Sequence, residues 1–241
     1  MLRIAYDGSN FKGYQLQDGE RTVSAELKTA IETLLGRKTR IIAAGRTDAG
    51  VHAREQIVNF LTTTDISAKG FSYHLQKHLP DDILCWDSVE VPLNFHSRFA
   101  SRSKTYKYVV SLKNPMMPMD RKYKANCTYK LDFNKMSEVL SLFEGVHDFS
   151  AFSKNDPLRQ PIRPLDSFEM NRVEDELIFI LKGESFLHNQ VRILIGAVIQ
   201  VGRRKLSLKE IEDALKNGST SPIAPTYPAC GLTLEHIELK S

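Results

Sequence analysis

Three residues in this chain are placed so that they could do chemistry: Asp48, Arg192 and Tyr106. The stretch AGRTDAGVHAR, Ala44 to Arg54, sets Arg46 and Asp48 two residues apart between Gly45 and Gly50. Flanking glycines free a backbone to turn tightly and present a side chain to a substrate. An aspartate is ionised near neutral pH, with a reference pKa of about 3.9, and a neighbouring guanidinium such as Arg46 favours that state even where water is excluded. The same triplet also reads as a surface turn with a local ion pair. Arg192 lies within Phe186–Val201, a nearly all-apolar stretch. A charge buried there needs a counter-charge, because an unpaired one is costly to bury. Asp48 or an RNA phosphate could supply it; otherwise the side chain points to the surface. Tyr106 falls in Thr105–Val110, a run of strong β-formers. Strand alternation puts Tyr106 and Tyr108 on one face and Lys107 on the other, so one tyrosine could stack on a base while the lysine meets phosphate. A core role suits either tyrosine equally.

Other chemistries find no support in the residues. The three cysteines, Cys85, Cys127 and Cys230, are far apart and form no C-x-x-C, which fits a reducing cytoplasm and neither a disulfide framework nor a zinc site. No H-E-x-x-H, phosphate-binding G-x-x-x-x-G-K-[ST] or G-x-S-x-G sequence occurs. His52, His147 and His188 are not expected to bind metal. No apolar run reaches the roughly 18 residues of a membrane span, and the N-terminal MLRIAYDGSN lacks a signal-peptide core, so no secretion is expected.

The elements that must position these side chains follow from periodicity. Leu2–Tyr6 reads as a strand ending in the turn Asp7-Gly8-Ser9-Asn10. Thr22 is placed to cap a helix with Val23, Leu27, Ile31, Leu34 and Leu35 on one face, closed by Gly36. Ile41–Ile42 and Gln56–Leu61 flank the Asp48 loop as strands. Ser67 starts a helix expected to run to Leu79, before Pro80. Ile83–Val91 is strand-like. Leu131–Phe143 is a helix, His147-Asp148-Phe149 opens a loop, and Asp156–Pro164, with three prolines, is irregular or edge structure. Ser167–Val173 and Leu177–Lys182 form a hairpin. Phe186–Val201 reads as a buried helix, Ser207 caps a helix to Lys216, and Gly231–Leu239 is a closing strand. Strand–loop–helix–strands–helix–strand occurs once in each half of the 241 residues. The expected fold is α+β, with two similar lobes, 1–97 and 98–241, sharing a mostly antiparallel central sheet with the active-site cleft between them.

Charge is unevenly spread. With 41% hydrophobic and 26% charged residues the chain falls among ordinary globular proteins, at a net charge of +4. Arg98 to Lys124, however, holds eight basic residues and one acid (Asp120), a net +7, leaving −3 for the remainder. Tyr106, Tyr108 and Tyr123 are interleaved with these cations. Cations with aromatics suit a phosphate backbone and stacked bases, and also a solvated strand face with a loop.

GRTDAGVHA, Gly45 to Ala53, resembles the signature loop of the tRNA pseudouridine synthase A family. YDGSNFKGYQ (Tyr6–Gln15), RTVSAEL (Arg21–Leu27), FHSRFASRSKTYKY (Phe95–Tyr108), GVHDFSAF (Gly145–Phe152), FLHNQVRILIGAVIQVG (Phe186–Gly202) and APTYPACGL (Ala224–Leu232) resemble further blocks of that family in the same order. Tyr14 stands where the family often has Trp. The resemblance implies a cytoplasmic homodimer that isomerises uridine to pseudouridine at positions 38, 39 and 40 of the tRNA anticodon stem-loop, with no metal and no cofactor. It implies Asp48 as nucleophile, Tyr106 as the substrate-contacting tyrosine, and Arg46 and Arg192 as basic partners. Lys12, Arg98, Arg102 and Lys104 are the cations expected to meet RNA. Two other classes remain open from the residues: a non-catalytic tRNA-binding or folding protein, and a hydrolytic carboxylate enzyme acting on nucleosides. The expected site geometry has Arg46 and Asp48 lining one cleft, with Tyr106 and Arg192 facing them.

Overall fold

A computed structural model describes residues 1–154 and 160–240. In chain order the strands and helices are β1 (Leu2–Tyr6), α1 (Val23–Leu35), β2 (Ile42–Ala43), β3 (His52–Asn59), α2 (Ala68–Gln76), β4 (Ile83–Ser88), α3 (Ser97–Ala100), β5 (Ser101–Ser111), β6 (Ala125–Asn126), α4 (Phe133–Phe143), β7 (Gly145–Asp148), β8 (Ile162–Leu165), β9 (Ser167–Val173), β10 (Glu176–Gly183), α5 (Gln190–Gly202), α6 (Leu208–Asn217) and β11 (Leu232–Leu239). No described helix is long and apolar enough to cross a membrane. The chain divides into two compact units, Met1–Arg102 with Thr233–Ser241, and Ser103–Leu232.

In the first unit β1 lies between β3 and β4, antiparallel to both, and β2 pairs antiparallel with the far end of β3. The closing strand returns to this unit, where Thr233 and Leu234 pair parallel with His52 and Ala53. Glu55 holds that return in place. One carboxylate oxygen accepts from the Ile237 N–H (3.1 Å) and lies 2.9 Å from His236 Nδ1, while the other accepts from Arg3 (2.8 Å). A buried carboxylate is tolerated there because its oxygens are paired. β3 is buried along nearly its whole length, with only Arg54 exposed, as expected of a strand inside a sheet. Val23, Leu27, Ala30 and Ile31 form the buried stripe of α1. Thr22 caps this helix by accepting from the Ala25 N–H, and Gly36 ends it at φ 66°, both as the sequence predicts.

In the second unit β10 lies between β5 and β9, antiparallel to both. β6 adds a short parallel pairing to β5, and β7 and β8 form a separate antiparallel pair. The β9–β10 hairpin turns at Glu174, φ 51°, as its position between two apolar runs predicts. Ser207 and Glu210 cap α6 reciprocally. Both units combine helices with mostly antiparallel strands, so the α+β reading holds.

Several element boundaries differ from the sequence-based expectation. β3 begins at His52 rather than Gln56, because pairing to Tyr6 and Thr233 recruits His52 and Ala53 into the ladder. α2 stops at Gln76, whose side chain instead spans β4, donating to the Ile83 carbonyl and accepting from the Cys85 N–H. His147-Asp148 is strand rather than loop, drawn into pairing with Arg163 and Ile162. Phe186–Asn189 is not helical: Asn189 takes φ 60°, a left-handed conformation that no right-handed helix continues through, so α5 starts at Gln190. Of Asp156–Pro164, expected to be irregular or edge structure, 156–159 lie outside the described residues, and the rest runs into β8, one strand of the two-stranded pair with β7.

Candidate active site

The loop carrying Arg46 and Asp48 is a tight connection whose every turn is tied to the first unit. It leaves β2 through the Ala44 N–H, which donates to Ile57 (2.8 Å), and the Gln56 side-chain amide donates to the Gly45 carbonyl (3.1 Å). Thr47 is buried, and its hydroxyl meets the Tyr6 hydroxyl at 2.8 Å. Its carbonyl accepts from the Tyr14 N–H (3.0 Å). The Val51 N–H closes the turn on the Asp48 carbonyl (3.2 Å), with Gly50 at φ 77°, where a glycine costs least. Gly50 N–H donates to the Phe11 carbonyl (3.2 Å). Arg46 points into solvent and Asp48 is half-buried.

The loop rests on the Gly8–Tyr14 segment, and the fit is close. A Cβ at Gly8 would sit 2.0 Å from the Val51 carbonyl oxygen, and one at Gly13, itself at φ 100°, would sit 2.9 Å from the Thr47 oxygen. Gly8 N–H donates to His52 Nδ1 (3.0 Å). Asp7 also lies 3.2 Å from that nitrogen. A backbone N–H must donate, so Nδ1 accepts in the bond from Gly8. Burial raises the Tyr6 hydroxyl to about 12 and pushes Tyr14 higher still, so both stay neutral. Arg21 braces the segment from outside: its guanidinium forks onto Asp82 (2.7 and 2.9 Å), binds Glu26 (2.9 Å) and lies 4.2 Å from the Phe11 ring centroid.

The second unit holds Tyr106 and Arg192. Tyr106 is buried on β5 and meets Phe186 edge-to-face, 5.1 Å between ring centroids. Tyr108, on the same face, is fully buried and donates to the Pro228 carbonyl. Its ring lies so close to Gly231 that a Cβ there would approach within 2.7 Å. Both tyrosines are buried, but the Tyr108 hydroxyl is committed to the Pro228 carbonyl, which leaves Tyr106 the candidate for substrate. Arg192 is gripped by neutral acceptors. Its Nε donates to the Tyr227 carbonyl (2.8 Å) and its Nη1 to the Asn189 side-chain oxygen (2.9 Å), with the Tyr227 N–H returning to the Arg192 carbonyl (3.1 Å).

The chain matches the family described as tRNA pseudouridine synthase over residues 3–100 and 139–239. It is 37% identical to tRNA pseudouridine synthase A of Finegoldia magna, covering 98% of each chain. It is 36% identical to the proteins of that name from Acetivibrio thermocellus, over 98% of this chain and 97% of that one, and from Halalkalibacterium halodurans, over 96% and 89%. The chain belongs to the tRNA pseudouridine synthase family. Its members named above are isomerases by that name. Among solved structures, a Cbf5–Nop10–Gar1 complex matches 98% of this chain and 58% of its own at 12% identity and a TM-score of 0.38.

Within this member of the tRNA pseudouridine synthase family, the cations expected to meet RNA fall into different environments. Lys12, Arg98 and Arg102 are exposed, Arg102 lying 3.2 Å from Glu238. Lys104 is buried, and its ammonium donates to the Glu184 carbonyl (3.3 Å). His74 and His78 stand four residues apart, but no group of three or more His, Cys, Asp or Glu among the described residues is placed to hold a metal. Sequence reasoning missed the residues that support the site: Tyr6 and Thr47, Gly8 and His52, Arg21, and Asn189. The last carried a usable signal, since Asn is the non-glycine residue that best tolerates a left-handed turn before a helix.

Proposed function

We propose that the chain converts uridine to pseudouridine in tRNA, at positions 38, 39 and 40 of the anticodon stem-loop, with Asp48 as nucleophile acting on a flipped-out base and with no cofactor. The observation that carries this reading is Asp48 on a turn fixed from both flanks, in a chain of the tRNA pseudouridine synthase family. The reaction breaks the N1–C1′ bond, turns the base and joins C5 to C1′; the C5 proton leaves and N1 gains one. A uridine in a stem hides these atoms, so it must leave the stack first. Arg46, exposed at the tip of the loop, fills the vacated space. Asp48 attacks C6 of the base or C1′ of the ribose, or removes a ribose proton to give a glycal. Tyr106 stacks on the uracil or accepts the C5 proton, and Arg192, held by Asn189 and Tyr227, pairs with Asp48 or a phosphate. No group is lost from the pocket between cleavage and rejoining, so a held base needs only a nucleophile and a proton acceptor. Exposed cations, Lys12, Arg98 and Arg102 among them, meet phosphates and 2′-hydroxyls, reading RNA shape more than sequence, which lets one site serve three neighbouring uridines. We take the protein to act in the cytoplasm as a homodimer; its cysteines Cys85, Cys127 and Cys230 are unpaired, which suits a reducing compartment.

The test is tritium release from tRNA carrying 5-tritiated uridine, with mass mapping of the product. The wild type should release tritium and leave pseudouridine at the three positions, and Asp48→Ala should lose at least ~10³-fold in rate. Full release by Asp48→Ala would remove Asp48 from the role of nucleophile. Free uracil in the digest would make the protein a hydrolase, and tight tRNA binding without release by the wild type would make it a non-catalytic tRNA-binding protein.

A further inference from the structure

Beside the strand that feeds the Asp48 loop lies an aromatic pair with no part in the chemistry above. α3 packs beside β2 and β3 in the first unit. It carries Phe99, which is 68% exposed. Phe99 is not a loosely held surface residue. Its ring stacks on His96 at 4.4 Å with an interplanar angle of 30°. The backbone beneath is fastened at three points. The Asn59 side chain donates to the Phe95 carbonyl (3.1 Å) and accepts from both the N–H and the hydroxyl of the buried Ser97 (2.9 and 2.6 Å). The Phe99 and Ala100 N–H groups both donate to the His96 carbonyl (2.9 Å each). Lys240 N–H donates to the Ala100 carbonyl (2.8 Å). Arg98, beside Phe99 in the chain, and Lys240, whose backbone binds Ala100, are exposed, as is Arg102 three residues on, which faces Glu238.

We propose that the His96–Phe99 pair is a stacking platform for one unpaired nucleotide of the RNA substrate, a base separate from the uridine that reacts. The proposal rests on the reading of the protein as a tRNA-modifying enzyme. A rigid ring with one face covered by an imidazole and the other open is what a nucleobase stacks on, and stacking is tolerant of base identity. Exposed cations on the residues next to this aromatic, Arg98 and Lys240 above all, suit the phosphates on either side of such a base better than an apolar partner surface, which would be flanked by fewer charges. Because β2 runs straight into Gly45, a nucleotide held on Phe99 would lie on the same unit as Asp48 and would fix the register of the strand entering the site.

The experiment measures binding of the full-length protein to an unmodified tRNA transcript by filter binding, alongside thermal melting and sedimentation. Phe99→Ala should weaken tRNA binding by roughly tenfold without lowering the melting temperature, since the ring is exposed. Phe99→Tyr should bind as the wild type, and Phe99→Leu, apolar but lacking a π face, should resemble Phe99→Ala. Unchanged tRNA affinity in Phe99→Ala, with the wild type active, would overturn the platform and leave the proposed function standing. A Phe99→Ala protein of unchanged affinity but lower oligomeric state would likewise overturn it, making this face an interface between copies of the chain. A wild type that neither binds nor modifies tRNA would instead overturn the functional reading itself.

Discussion

The hydroxyls of Tyr6 and Thr47 meet at 2.8 Å inside the first unit, so the residue next to Asp48 in the chain is anchored to the first strand. Both side chains are buried. The bond therefore does two things at once: it satisfies two polar groups that water cannot reach, and it sets the direction in which the following aspartate leaves the turn.

Tyr6→Phe should leave the Thr47 hydroxyl buried without its partner and cost about 1–2 kcal/mol of stability. Replacing both, Tyr6→Phe with Thr47→Val, should recover most of that loss, since neither buried hydroxyl then remains unpaired. Urea midpoints give the stability. Tritium-release rates, expected to stay low in the double variant, separate the anchoring role from the packing role.

Gly8 and Gly13 should be the least replaceable glycines of the first unit. Alanine at Gly8 would put a methyl 2.0 Å from the Val51 oxygen, and at Gly13 it would meet the Thr47 oxygen at 2.9 Å from a left-handed backbone. Either substitution must push the Asp48 loop away, at about 3 kcal/mol or more. Gly19 is the control: it also has a positive φ, 75°, but a Cβ there meets nothing within 4 Å. Gly19→Ala should cost only about 1–2 kcal/mol from its backbone and leave the rate intact. Melting curves and single-turnover rates on the three variants check this.

Asn189 should prove a positioning residue acting through Arg192. Its side-chain oxygen accepts from Arg192 Nη1 at 2.9 Å, and its backbone sits at φ 60°. Asn189→Gly keeps the left-handed turn and loses only the hydrogen bond, so stability should change by less than about 1 kcal/mol while the rate falls roughly ten- to a hundredfold. Asn189→Ala should lose both, through strain of about 1–2 kcal/mol and the missing bond. Equal rates for wild type and Asn189→Gly would show that the Asn189 hydrogen bond is not needed to hold the arginine.

Alkaline pH should destabilise the protein before its chemistry fails. Burial raises the Cys85 thiol from 9.0 to about 12 and the Tyr6 hydroxyl from 10.0 to about 12, and it also raises Tyr14, Tyr108 and Tyr227. Each keeps its proton in the folded chain at a pH where the unfolded chain has lost it. The folded state then binds more protons, so stability falls as pH rises. Their contribution is complete below about pH 9, declines from there for Cys85 and from about pH 10 for the tyrosines, and for Cys85 and Tyr6 is lost by about pH 12. Urea midpoints from pH 8 upward, with phenolate absorbance tracking ionisation, should show the decline; a flat profile to pH 11 would contradict it.

Much of the fold was legible because its signals are local. Thr22 and Gly36 bound α1, Ser207 and Glu210 bound α6, and Glu174 turns the β9–β10 hairpin, each through neighbours within a few residues. The misplaced boundaries are those set by distant partners. His52 joins β3 through Tyr6 and Thr233, and His147 joins β7 through Arg163. The exception is α5, whose start was legible in principle from Asn189 but was hidden by the apolar run around it.

By itself the sequence determined the elements, the family blocks and the candidacy of Asp48 on a glycine-flanked loop, because propensity, capping and spacing are written in adjacent residues. The tertiary structure alone decided what holds that loop. Tyr6 reaches Thr47 across 41 residues, Gly8 leaves room for the Val51 carbonyl, and the Tyr108 hydroxyl is taken by the Pro228 carbonyl. These depend on which distant atoms close packing brings to within a hydrogen bond or a methyl's width, and no local pattern encodes such a distance.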